Sequence, residues 1–170
     1  KRMMWFRIIF IKDVFLVLLS GSKQSRFHGV GFIIAPWFRQ FAYVFSPFNE
    51  RIATIKVRSQ PRELRICSLY APSMLGEVDK DKARKDKFWR QVDNMYNEAK
   101  PNTVHLAVGD LNARMEVQPG LPNHVGTHIF GTGELPTDAH SHNREYLLDL
   151  LVSHDQCLPA SFKPQLSSHK

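Results

Sequence analysis

Apolar and polar positions alternate most cleanly in two places. At 51–58, Ala53, Ile55 and Val57 alternate with Thr54, Lys56 and Arg58, the pattern of a strand with one wet face. At 104–108, Val104, Leu106 and Val108 alternate with His105 and Ala107, and Gly109 closes the run ahead of Asp110 and Asn112. Between them, Leu64–Tyr70 reads as another strand, stopped by Ala71-Pro72-Ser73. Upstream, 29–34 reads as a strand entered through glycines and ended by Pro36. A second apolar run at 38–45 leads into an expected Ser46-Pro47-Phe48-Asn49 turn, and 20–28 reads as a polar, basic loop. The apolar start, 1–19, is divided by Arg7, Lys12 and Asp13 into pieces too short to span a bilayer. Two core strands, or the truncated edge of a larger fold, are expected there; a signal peptide is the competing reading, with Lys1-Arg2 before the run and small residues at 20–22 after it. Short turns between successive strands imply an antiparallel meander.

The pattern changes period once, at 79–100. Phe88, Val92, Met95 and Ala99 recur at helical spacing, Lys80, Lys82, Arg84, Lys85 and Lys87 crowd the first half, and Pro101-Asn102 stops the run. If this helix is a crossover between the strands ending at Tyr70 and Asp110, both residues end at one rim of a sheet. Beyond Asn112 the chain loosens into an irregular, glycine- and proline-rich loop over 116–141. A short helix is expected at 144–152, a strand at 158–162 and a polar tail at 165–170. With 170 residues, this is one α/β domain's worth of chain.

The strand end at Asp110 is where candidate chemistry begins. A carboxylate and a carboxamide two residues apart suit phosphate-ester chemistry: the first can orient water or hold a cation, the second can donate to a phosphate oxygen. The plainer reading is an Asp/Asn turn after a strand. Tyr70 ends its own strand in the same way, so its phenol is a second candidate donor, or an ordinary half-buried tyrosine. His124, His128, His140 and His142 lie beside Asp138 in the irregular loop. His124 and His128 have helical zinc-ligand spacing, but Pro122 and Gly126 oppose a helix, and exposed loop histidines are the simpler account.

Charge adds a partner class. Lys and Arg outnumber Asp and Glu by 23 to 16, giving +7, which favours a polyanion, nucleic acid before an anionic membrane. The lysines of 79–100 read as a solvated face or a phosphate-tracking one. Cys67 and Cys157, far apart and in no metal-ligand spacing, point to a reducing, intracellular compartment, nuclear or cytoplasmic.

Leu69-Tyr70-Ala71-Pro72, an amphipathic helix, then Val108-Gly109-Asp110-Leu111-Asn112-Ala113 resembles the endonuclease/exonuclease/phosphatase superfamily. Within it, the order is closest to the endonuclease domain of LINE-type retrotransposons and their craniofacial-development-protein-2-like relatives. Gly29-Val30-Gly31-Phe32, Asn49-Glu50-Arg51-Ile52 and His142-Asn143-Arg144-Glu145-Tyr146-Leu147-Leu148 extend the likeness, with Arg144 where the family has glycine. The resemblance implies a four-layer α/β sandwich of mixed, mainly antiparallel sheets flanked by helices, hydrolysing phosphodiesters of nucleic acid, DNA before RNA, with Mg²⁺ (or Mn²⁺). It would make Asp110 the residue that orients the attacking water, Asn112 a phosphate ligand, Tyr70 a support for transition-state charge and Asn143 a supporting substrate-side residue. The family's upstream metal-binding Glu and terminal Ser-Asp-His have no counterpart; His154-Asp155 has the reverse order. The resemblance therefore implies a single incomplete domain over 1–164 with weak or no activity, or a noncatalytic nucleic-acid-binding remnant.

Overall fold

The computed structural model describes residues 4–11, 15–22, 25–73, 78–129 and 138–164, and the expected polar tail at 165–170 lies outside them. The chain is mixed α/β, with a three-stranded and a four-stranded sheet and two helices among the described residues. It divides into two compact units, Lys1–Ala71 with Asn94–Leu111, and Pro72–Asp93 with Asn112–Lys170. No described helix is long and apolar enough to cross a membrane.

The first unit holds both sheets. β1 (Met4–Ile11), β2 (Phe15–Ser22) and β3 (Ser25–Ile34) form an antiparallel meander, so the apolar start does form strands, and much of the expected 20–28 loop is strand as well. β4 (Ala42–Asn49), β5 (Ile52–Val57) and β6 (Leu64–Tyr70) make a second antiparallel meander. β7 (Val104–Asp110) joins it in parallel, giving the order β4-β5-β6-β7. A parallel partner needs a crossover, and α1 (Val78–Asn97) supplies it. The expected turn at 46–49 is instead the second half of β4. Register shifts before Val44 and after Pro47 let the strand run through a proline, which an edge strand tolerates because the missing N–H need not serve the ladder.

The sheets face each other. Leu18 and Ile34 from the first meet Ile55 and Val57 from the second in a core flanked by Phe32, Phe45, Leu64 and Ile66. The Ser20 hydroxyl, fully buried, donates to the Asn49 carbonyl at 2.7 Å and pins β2 to the end of β4. The other face of β6 and β7 carries Arg65, Cys67 and His105. Arg65 donates to the Met95 carbonyl at 2.9 Å, a cation at the C-terminal end of α1, and the His105 ring stacks on Tyr96 with centroids 4.3 Å apart. Burial pushes the Cys67 thiol up to about 12, so it stays protonated and unreactive at neutral pH. A thiol reagent such as Ellman's should therefore titrate exposed Cys157 at once and Cys67 only after denaturation. Prompt reaction of both in the native chain would contradict this packing.

The second unit is built around the first part of α1 and α2 (Asp138–Ser153), which begins earlier than the expected 144–152. Its irregular loop is held by backbone and side-chain partners: Leu158 N–H donates to the His124 carbonyl at 2.8 Å, and Gly126 N–H to the Ser161 hydroxyl at 2.7 Å. The expected strand at 158–162 is a 3-10 turn, Pro159–Ser161, with a single bridge from Leu158 to Val125. Pro159 at its first position removes the donor a strand would need there.

Candidate functional site

Tyr70 and Asp110 are register partners at the ends of two parallel strands. In a parallel ladder, paired residues project from the same face, here the face that carries Leu64, Ile66 and the sheet-to-sheet core. The Ala71 N–H donates to the Asp110 carbonyl at 2.9 Å, fixing this rim just where both strands stop. Gly109 makes the pairing possible. Its φ of 137° is a conformation side chains rarely adopt, and a Cβ there would overlap the Leu69 carbonyl oxygen. Asp110 is exposed and Tyr70 half-buried, so the rim is open to a ligand.

Sequence reasoning missed two further residues at this rim. Arg51, just ahead of β5, donates through Nη1 to the Tyr70 carbonyl at 3.1 Å and approaches His28 Nε2 with Nη2, also at 3.1 Å. Its guanidinium lies 4.9 Å from the centre of the Tyr70 ring, within cation–π range, and the His28 and Tyr70 ring centroids are 6.2 Å apart. Because arginine only donates, His28 Nε2 must be the acceptor in this pair, with the ring proton on Nδ1. An Asx-type bond holds the arginine's backbone, Arg51 N–H donating to Asn49 Oδ1 at 2.8 Å. The rim thus sets a fixed cation and a phenol beside a carboxylate, donors and an acceptor suited to a phosphate ester and its water. Nothing in the sequence near Arg51 reveals this, since its partners lie 19 and 23 residues away.

Asn112 and Asn143 belong to the second unit. Asn112 sits at φ 47°, a left-handed position that asparagine tolerates. Asn143, on α2, is 1% exposed. Its Oδ1 accepts from Trp89 Nε1 at 2.9 Å, and its Nδ2 donates to the Pro72 carbonyl at 2.9 Å and the Asn112 carbonyl at 3.2 Å. Both amide hydrogens are thus spent on backbone, and Asn143 acts on the Asn112 turn as a positioning residue. Arg144 is buried as well: it donates to the Arg114 carbonyl at 2.5 Å and pairs with Glu116 at 2.6 Å. His154 meets Asp93 at 2.7 Å within the same unit, a local structural pair.

The basic half of α1 is not a uniform solvated face. Lys80, Lys82 and Lys87 are exposed, but Arg84 pairs with Asp81, and Lys85 is buried, which lowers its pKa by desolvation and by the neighbouring Arg84 charge. Lys85 therefore belongs to the packing, and the outward charge is carried by the other three lysines.

Among the described residues, no three His, Cys, Asp or Glu side chains come together as a metal site. His124 Nδ1 meets the Gln156 carbonyl at 2.6 Å, His128 is exposed with its backbone N–H donating to the Ser161 carbonyl at 2.8 Å, and the side chains of His140 and His142 lie outside the described residues. Neither a family model, nor a curated protein, nor a solved structure matches the chain.

Proposed function

We propose that the chain binds the sugar–phosphate backbone of nucleic acid, DNA before RNA, at the strand-end rim of β6 and β7. The observation that carries this reading is Arg51 clamped on Tyr70 directly beside the register pair Tyr70–Asp110. The guanidinium and phenol supply donors for phosphate oxygens, and Asp110 is placed to accept from a water or sugar hydroxyl. For Asn112, which belongs to the second unit, a phosphate-contacting role rests on the resemblance alone. The net charge of +7 and the exposed lysines of α1 supply the long-range attraction. The two facing sheets and the α1 crossover are compatible with a partial four-layer sandwich of the endonuclease/exonuclease/phosphatase type, and we place the fold there as part of the same proposal. Because the sequence has no counterpart of the upstream metal-binding Glu or the terminal Ser-Asp-His that the resemblance implies, hydrolysis is expected at background level.

Fluorescence anisotropy with a labelled oligonucleotide across a salt titration tests the reading. Affinity should fall linearly with salt on logarithmic axes, with little dependence on base sequence. Arg51→Gln should reduce that slope by about one, and Asp110→Asn, which removes a charge repelling phosphate, should tighten binding. Arg58→Gln, at the far end of β5, should change binding less. Binding that is absent at low salt, or flat across the titration, would sink the proposal. In the same preparation, a supercoiled-plasmid assay with Mg²⁺ should show no nicking above background. Robust nicking abolished by Asp110→Ala would keep the rim and overturn the inactivity.

A further inference from the structure

The two edges of the four-stranded sheet differ in kind. β4 carries Pro47 and two register shifts, features that keep a strand edge from pairing with another chain. β7 has no proline, no lysine and no bulge along its pairing with β6. It also leaves an apolar row in solvent: Val104 and Val108 are 44% exposed and Leu106 is 43% exposed. Among the described residues nothing pairs with the outer side of β7, and an edge so exposed is rare in a folded domain unless something covers it.

The backbone direction at this edge follows from two hydrogen bonds. Val104 N–H donates to the Glu63 carbonyl at 2.8 Å, and the Asp110 carbonyl accepts from Ala71 N–H at 2.9 Å. In a parallel ladder, residues of one parity turn both backbone groups to the same neighbour. Val104, Leu106, Val108 and Asp110 therefore face β6, and the intervening residues, Ala107 and Gly109 among them, turn theirs outward. The side-chain pattern along the edge is a palindrome centred on Leu106, with valine two residues to either side.

We infer that two copies of the chain pair through β7, antiparallel, about a two-fold axis at Leu106. The backbone permits registers two residues apart, and of these this one sets every apolar side chain of the row against another. It sets Leu106 against Leu106 of the second copy and Val104 against its Val108, all as non-hydrogen-bonded pairs, the closer kind for side chains. It sets Ala107 opposite His105 of the second copy, where outward-turned groups meet as a hydrogen-bonded pair. A shift by one residue would oppose inward-turned groups to outward-turned ones and break the ladder. Charge agrees: 104–109 holds no Asp, Glu, Lys or Arg, and Asp110 falls opposite Asn102 of the second copy, so no like charges meet along the edge. An isologous interface of this kind is the commonest way for one patch to serve both copies.

Sedimentation equilibrium on the full chain should give a concentration-dependent dimer. Raising salt should strengthen it by screening the repulsion between two chains of +7, the opposite of its effect on nucleic-acid binding. Leu106→Lys puts two like charges at the axis and should weaken the dimer by about tenfold or more. Leu106→Cys in a Cys157→Ser background should form an intermolecular disulfide on mild oxidation, and Ile33→Cys, at a more exposed position on β3, should not. Far-UV circular dichroism and an unreactive Cys67 confirm that each variant is folded. A monomer at every concentration overturns the inference, as does a Leu106→Lys dimer as tight as the parent or equal cross-linking at both cysteines.

Discussion

Asn143→Asp is expected to lower the stability of the chain by about 4 kcal/mol, the scale of an uncompensated buried charge. The native carboxamide is 1% exposed and directs its two amide hydrogens at the Pro72 and Asn112 carbonyls. A carboxylate would direct an anionic oxygen at those same carbonyls, losing two donors and adding repulsion in a site that excludes water. The Trp89 indole would keep an acceptor, so the loss falls on the two backbone carbonyls and not on the α1 side of the contact. Asn143→Ala should cost less, about 2 kcal/mol, because it leaves orphaned groups without a buried charge. Urea unfolding at neutral pH reads both. Acid should restore the aspartate variant in part, since its folded-state carboxyl has a raised pKa: the penalty is absent below the unfolded-state value, grows as pH rises from there toward the folded-state value, and is complete above it. An aspartate variant as stable as the parent at neutral pH would mean that the amide is not held as described.

Gly109→Ala is expected to cost about 3 kcal/mol, with a fall in Tm of roughly 10 °C for a chain of this size. Two effects add here, a φ of 137° that alanine resists and a Cβ that would meet the backbone of Leu69. Backbone cannot step aside as the end of a flexible side chain can, so β6 and β7 must separate or slip at the rim. Oligonucleotide binding should weaken along with stability, because the Tyr70–Asp110 pairing is the part displaced. Thermal unfolding together with anisotropy at a temperature where the variant is still folded distinguishes the two losses. Unchanged binding by a folded variant would detach Gly109 from the rim.

Much of the first unit could be read directly from alternation. β5, β6 and β7 are each visible as runs of period two, and the α1 helix as a run of helical period, although the wet face expected for β5 is largely buried as well and the apolar row of β7 is partly exposed. From those elements the parallel pairing of β6 with β7, and the meeting of Tyr70 with Asp110, follow from connection rules alone. Edges and special positions were harder. Proline in Ser46-Pro47-Phe48-Asn49 signals a turn in any window, and only the bulged pairing with β5 turns it into strand. Leu158–Phe162 has the apolar content of a strand, but its backbone partners are one bridge and a 3-10 turn. Arg51 looked like the polar start of a strand. Its placement on Tyr70 depends on residues brought near by tertiary folding, which no local pattern encodes. Asn143 stood out only through the resemblance, just ahead of the expected helix at 144–152, and whether its amide faced a ligand or the backbone depended on where Pro72 and Asn112 ended up.

The parallel seam between β6 and β7 also sets an order of events in folding. The β4–β5–β6 meander closes through short turns, at little cost in chain entropy. β7 can reach β6 only after the whole of α1 has been laid down between them, a much longer loop to close. Substitutions in β7 should therefore speed unfolding and leave the folding rate nearly unchanged, with φ-values near zero, and those in β5 should slow folding; stopped-flow chevrons measure both. During its synthesis and refolding the chain thus passes through a stage in which Tyr70 and Arg51 are already in place and Asp110 is not.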